Sequence, residues 1–188
     1  MSYEKSVNSF FNKKYTQHKK SVLSLGWGSV PSQEARFSIF AEYIKDNNSL
    51  LDVGCGFADL YFYLKNNNIN TKYKGIDFNE NFIKEIDNNL NTECLDLFDI
   101  SASYDWVVGS GIFCYPHNEW EKYFLNTLNK MYSLSNKGCI VNFLYDIDDP
   151  LMVQTDIPSV YNIVKNITNK LIFRQDYKPN DFSLILKK

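Results

Sequence analysis

From residue 49 onward, short apolar runs of strand character alternate with stretches of helical periodicity, and this alternation most limits how the chain can fold. Ser49-Leu50-Leu51-Asp52-Val53 reads as a strand, residues 59–66 as a helix, 73–77 as a second strand and 80–88 as a second helix. Glu93-Cys94-Leu95 makes a short third strand. Asp105-Trp106-Val107-Val108-Gly109 makes a fourth, followed by a helix over 118–134, a fifth strand over 138–145 and a helix over 159–167. A connection that contains a helix brings the chain back parallel to the strand it left, so the pattern predicts a parallel sheet covered on both faces. The fourth run is continuous in apolar character, as expected of a central strand buried on both faces. The ending differs: 170–174 and 182–186 are strands joined by a Pro- and Asn-containing turn, hence an antiparallel hairpin.

Ahead of this core, Val7, Phe10, Phe11 and Tyr15 recur at helical spacing within residues 3–20. Gly26 and Gly28 then mark turns, and Pro31 opens a helix whose face is Phe37, Phe40, Ala41 and Ile44. At 188 residues the chain is read as one domain, with an N-terminal helix and lid segment over 1–30 and the core over 31–188.

A net charge of -2 and lysines scattered along the chain argue against a nucleic-acid partner, which needs a clustered basic surface. The first residues hold no apolar signal core, and no apolar run is long enough to cross a bilayer, so a cytoplasmic protein without a membrane partner is expected. Cys55, Cys94, Cys114 and Cys139 are widely spaced and fall in or just after strands, so they are read as reduced and mostly buried thiols. No His and carboxylate set has ligand spacing, and no metal is expected.

The segment with most chemical content is Leu51-Asp52-Val53-Gly54-Cys55-Gly56-Phe57-Ala58-Asp59, a strand running through a glycine turn into a helix. Glycines let a backbone approach a ligand closely, and the helix start offers free N–H groups. Asp77 closes the next strand twenty-three positions beyond Gly54, where a carboxylate can accept both hydroxyls of a ribose. Asp52, a carboxylate inside an apolar strand, needs partners, which the glycine turn or a ligand ammonium would supply.

Taken in order, these motifs resemble those of the class I S-adenosylmethionine-dependent methyltransferases: Asp52-Val53-Gly54-Cys55-Gly56 is similar to the family's first motif and Gly75-Ile76-Asp77-Phe78-Asn79 to its second. Cys94-Leu95-Asp96-Leu97 is similar to the segment that places an acidic side chain on the adenine amino group and a backbone N–H on the ring. Tyr104 to Gly111 resembles the fourth-strand motif, whose end, Ser110 and Gly111, lies under the methionine part of the cofactor. The resemblance implies a Rossmann-like three-layer sandwich with a seven-stranded, mostly parallel sheet ending in an antiparallel hairpin, and S-adenosylmethionine as cofactor. Ala58 departs from the family at a frequent third glycine, which is harmless if the backbone there has negative φ. The fourth strand is followed by Ser110-Gly111-Ile112-Phe113, not by the Asp/Asn-Pro-Pro-aromatic segment of enzymes that methylate base amino groups.

The resemblance also implies that Arg36, on the helix before the glycine turn, could clamp the cofactor carboxylate; a surface or helix-capping role is the alternative. Methyl transfer from a sulfonium depends on alignment, and an acid or base is needed only to take the acceptor's proton. Of the two histidines, His117 follows the fourth strand, near where the methyl should sit. His18 lies in an N-terminal segment that, with Tyr15 and Trp27, resembles one found in a group of small bacterial methyltransferases and can fold over the cofactor. His117, His18 and Tyr15 are therefore the catalytic candidates, with Tyr145 a further one. The expected reaction is methylation of an O or N atom of a small polar metabolite. The alternatives are a nicotinamide-dependent oxidoreductase, against which Asp59 at the sixth position of the turn speaks, and a non-catalytic S-adenosylmethionine-binding regulator. The sequence leaves the oligomeric state open.

Overall fold

The computed structural model describes residues 3–116, 118–149 and 151–188. Seven strands form one sheet: β1 (Ser49–Val53), β2 (Lys72–Asp77), β3 (Thr92–Cys94), β4 (Tyr104–Gly109), β5 (Ser135–Leu144), β6 (Leu171–Arg174) and β7 (Asp181–Lys187). Their order is β3-β2-β1-β4-β5-β7-β6. The first five are parallel, while β7 runs antiparallel to both β5 and β6. This is the Rossmann-like arrangement expected above, including the terminal hairpin. Among the described residues six α-helices accompany it: α1 (Tyr3–His18), α2 (Val30–Tyr43), α3 (Asp59–Asn66), α4 (Glu80–Ile83), α5 (Trp120–Leu134) and α6 (Ile157–Val164).

Successive strand residues point to opposite faces, and the two core clusters follow that alternation. Leu51, Val107, Cys139, Val141, Leu184 and Leu186 pack with Phe124, Leu128 and Met131 of α5 and Val160 and Val164 of α6. Their neighbours Leu50, Trp106, Val108, Ile140 and Ile185 face the other way, onto Phe37 and Phe40 of α2 and Leu60 and Leu64 of α3. Local signals set the helix starts: Ser29 accepts the N–H of Ser32 at 3.3 Å ahead of α2, and Asp156 accepts that of Ser159 at 2.8 Å ahead of α6, each with a proline in the first turn.

Two expectations need correction. The helix expected over 80–88 ends at Ile83, because the bonds Glu85 N to Phe82 O and Ile86 N to Ile83 O tighten the chain, and Asp87 then accepts the N–H of Asn89 in a side-chain turn. Cys55 and Cys139 are buried, but Cys94 is exposed, since it ends β3 at the sheet edge where one side has no neighbouring strand. All four thiols are free. Among the described residues no helix is long and apolar enough to cross a membrane.

Candidate active site

In the strand order, β1 and β4 are adjacent although their connections leave toward opposite edges, and a crevice opens above the carboxyl ends of such strands. A cavity of about 390 Å³ lies there. The ends of β1 and β2 and the segment after β3 wall one half, with Asp52, Gly54, Cys55, Gly56, Asp77, Phe78, Asp96 and Leu97. Ser110 and Gly111 at the end of β4 lie between the halves, and Trp27 and Arg36 also face the cavity. All twelve residues expected to contact a cofactor thus line one space.

The glycine turn is held from behind. Gly54 N and Cys55 N both donate to Ile76 O, at 2.8 and 3.0 Å, and Gly56 N donates to Asp77 Oδ2 at 3.0 Å. The other oxygen of Asp77 accepts the N–H of Asn79 at 2.8 Å. Each oxygen of this carboxylate therefore keeps one lone pair for a ligand. Asp52 accepts the Tyr73 hydroxyl at 2.7 Å, so Asp77, not Asp52, orders the turn. Burial raises both carboxyls: Asp52 to about 7, with the Tyr73 bond opposing and the charges of Asp77 and Asp59 adding, and Asp77 to about 6, with the N–H groups of Asn79 and Gly56 opposing. Two partly desolvated carboxylates beside one glycine turn suit a ligand that brings an ammonium and hydroxyl donors.

Ala58 has φ 62°, in the left-handed region, so the condition under which it would replace glycine without strain does not hold. The turn requires this conformation to start α3, and Ala58 is fully buried there.

The segment before α2 closes the cavity from above. A Cβ on Gly56 would stand 2.8 Å from Leu25 Cδ2, and one on Gly111 would stand 2.9 Å from Trp27 Cη2, so both glycines are places where this segment touches the sheet ends. The Trp27 ring lies over the Arg36 guanidinium, 4.5 Å away. Arg36 is neither a surface nor a capping residue: it is 3% exposed, paired with Asp181 and donating to Ser32 O at 2.8 Å. Asp181 in turn accepts the Tyr177 hydroxyl, which accepts that of Ser183 at 2.9 Å. The guanidinium thus already has an ion-pair partner within the protein.

The structure does not bring Tyr15, His18 or Tyr145 to the cavity. Helix α1 presents Val7, Phe10 and Phe11 to it, and Tyr15 lies one turn further along, with its ring against Phe82 and its hydroxyl donating to Glu85. That bond raises the Tyr15 pKa, the opposite of what a base needs. His18 is exposed at the end of α1. His117 lies outside the described residues.

Several residues of the site had not been singled out. Gln33, one turn before Arg36, donates to Asp59 at 2.9 Å. Asn142, buried in β5, accepts the N–H of Gly111 at 2.9 Å and donates to Ser110 Oγ at 3.2 Å, fixing the end of β4. A polar residue within the apolar run of β5 was the available signal; Asp181 and Lys178 carried none.

Residues 51–141 match the model of a methyltransferase domain family. A Mycobacterium tuberculosis protein that carries a methyltransferase name is 24% identical over 157 residues, 76% of this chain and 95% of its own. The fold is shared with the magnesium protoporphyrin IX methyltransferase of Synechocystis, solved with S-adenosylmethionine (TM-score 0.68, 14% identity, 98% of this chain and 97% of that one). It is also shared with the 1,6-didemethyltoxoflavin-N1-methyltransferase of Burkholderia thailandensis (TM-score 0.70, 9% identity, 100% and 91%). Over residues 51–141 the chain is thus similar to methyltransferase domains, and its fold is that of these solved methyltransferases.

Proposed function

We propose that the cavity holds S-adenosylmethionine and that the chain transfers its methyl group to an O or N atom of a small polar metabolite. The observation that carries this reading is the pair of buried carboxylates, Asp52 and Asp77, facing one cavity across a glycine turn. In this reading Asp77 accepts the ribose hydroxyls with its two remaining lone pairs, and Asp52 faces the ammonium. Asp96, Leu97 and Phe78 receive the adenine, and Ser110 and Gly111, pinned by Asn142, lie beneath the reacting end. Trp27 and Leu25 cover the site as a lid, with Arg36 supporting Trp27 instead of gripping a carboxylate.

S-adenosylmethionine held there would supply an electrophilic methyl on a sulfonium, with a neutral thioether as the leaving group. The protein's part is alignment and exclusion of water, by the aromatic roof of Phe10, Phe11 and Trp27. His117 stands as the candidate to take the acceptor's proton on its place in the chain, just beyond the cavity-lining Cys114 and Tyr115. The test is calorimetric titration of wild type and Asp77→Ala with S-adenosylmethionine, S-adenosylhomocysteine and NAD. Binding of the first two, lost in the variant, is expected; binding of NAD alone, or of none to folded protein, would overturn the assignment.

A further inference from the structure

The half of the cavity that the motifs do not account for lies above β4, β5 and the hairpin turn. Its walls are Phe10 of α1, Tyr115 after β4, Leu144 at the end of β5, and Ile147 and Met152 of the following loop. The rings of Phe10 and Tyr115 stand 5.2 Å apart, and Ser6 Oγ and the Tyr115 hydroxyl lie within hydrogen-bond distance at 3.0 Å, joining α1 to this wall. The loop is fastened over the strand ends by Val153 N to Cys114 O at 2.8 Å and Thr155 N to Leu144 O at 3.0 Å. Apolar walls of this kind strengthen any charge interaction made between them.

Three charged side chains reach this half: Arg36, Asp149 and Lys178. Arg36 is paired with Asp181. Asp149 uses Oδ1 to accept the N–H of Leu151 at 2.9 Å. Lys178, half-buried in the β6–β7 turn, makes one hydrogen bond among the described residues, a long one of 3.3 Å to Pro179 O. Burial raises the Asp181 carboxyl, and the charges of Arg36 and, more weakly, Lys178 oppose that rise, so two cations act on one buried carboxylate and the ion pair goes to Arg36. Lys178 lines the cavity, and among the described residues no carboxylate stands within ion-pair distance of its ammonium.

We infer that Lys178 selects the acceptor, and that the acceptor is a small acid: a compact aromatic or apolar body packed between Phe10, Tyr115, Ile147 and Met152, with a carboxylate or similar anionic group on the lysine. This rests on the methyltransferase reading of the same cavity and names the substrate class it serves. Asp149 on the same wall discriminates against a second negative charge.

The experiment uses protein saturated with S-adenosylhomocysteine, whose binding is measured first in the same sample. Into it are titrated 4-hydroxybenzoate, its neutral amide 4-hydroxybenzamide and the cationic 4-hydroxybenzylamine. The acid is expected to bind at least about tenfold more tightly than the amide, the factor set by one charge-assisted bond. In Lys178→Met that ratio falls to near one, and in Lys178→Glu the amine becomes the preferred probe. The ratio within each variant cancels any general loss of affinity. Equal binding of acid and amide, survival of the acid preference in Lys178→Met, or binding of none of the three to protein that holds S-adenosylhomocysteine overturns the inference. Failure to bind S-adenosylhomocysteine overturns the methyltransferase reading instead.

Discussion

The two halves of the cavity are built by different means. Above β1 and β2, the wall comes from consecutive residues: Asp52 to Gly56 form one turn, and Asp77 with Asn79 form the next, tied together by hydrogen bonds of 2.8 to 3.0 Å. Above β4, β5 and β7, it comes from residues far apart in the chain, Phe10, Arg36, Tyr115, Met152 and Lys178, brought together by packing and by the Arg36–Asp181 pair. The first half therefore has its binding groups preorganised by the backbone, and the second can be changed residue by residue without disturbing the turn. A fold divided in this way can keep one ligand half while the other is rebuilt for a different acceptor.

The sharpest way to break this comparison is to remove the charge pair that anchors the second half. Arg36→Met removes the ion-pair partner of the buried Asp181, leaving it the Tyr177 hydroxyl and the weaker influence of Lys178, and loss of one partner of a buried pair costs about 3–5 kcal/mol. Denaturant unfolding should show a loss of that size, and the double variant Arg36→Met/Asp181→Asn should recover part of it. Little change in the single variant would mean that the hairpin turn does not depend on the pair. The counterpart in the first half is Asp77→Asn, which removes the charge and one of the two accepting oxygens but keeps the shape. It should weaken S-adenosylmethionine by about 100-fold, as loss of charge-assisted hydrogen bonds predicts, with the smaller effect on unfolding. If stability falls as far as with Arg36→Met, then Asp77 serves the turn more than the ligand.

This division also explains what the sequence disclosed. The sheet, its hairpin and the residues lining the first half were legible because strand, glycine turn and carboxylate are local patterns with a direct geometric meaning. The second half was not, since nothing in the spacing of Arg36, Lys178 and Asp181 says that they meet; only the antiparallel return of β7 beside β5, pairing Leu144 with Asp181, brings them together. Tyr15 and His18 misled for a related reason. They share a helix with Phe10 and Phe11, but α1 passes over the cavity near its middle and carries its last turn beyond it, to Glu85 and solvent. Ala58 shows the opposite failure: its place in the turn was plain, but the sign of its φ was not.

A smaller effect separates the halves by pH. Burial raises Asp52 to about 7 and Asp77 to about 6, above the ordinary value near 4, so their contribution to stability of the free protein is present below pH ~4 and is lost as pH rises through 6 to 7. A ligand bringing an ammonium and hydroxyl donors favours the ionised forms, so its affinity must rise over the same interval. The increase in melting temperature caused by S-adenosylmethionine should therefore grow between pH 5.5 and 8, corresponding to about tenfold in affinity if one of the two ionisations is coupled to binding. In Asp52→Asn the remaining dependence should centre lower, on Asp77. A flat profile would show that neither carboxylate changes state on binding.

The smallest expected effect concerns the turn itself. At φ 62° the left-handed conformation costs Ala58 about 1–2 kcal/mol relative to glycine. Ala58→Gly removes that cost but loses a buried methyl, worth about 0.8 kcal/mol. It also frees the unfolded chain, which costs about 0.4–1 kcal/mol. These terms nearly cancel, so the variant should unfold within about 1 kcal/mol of wild type, with cofactor affinity unchanged because the N–H groups of Gly54, Cys55 and Gly56 are fixed by Ile76 and Asp77. Stabilisation of more than ~2 kcal/mol would mean that strain is stored at this turn. Weaker binding without loss of stability would mean that the methyl of Ala58, not the hydrogen bonds behind it, holds the glycine turn in place, and the first half would then depend on packing as the second does.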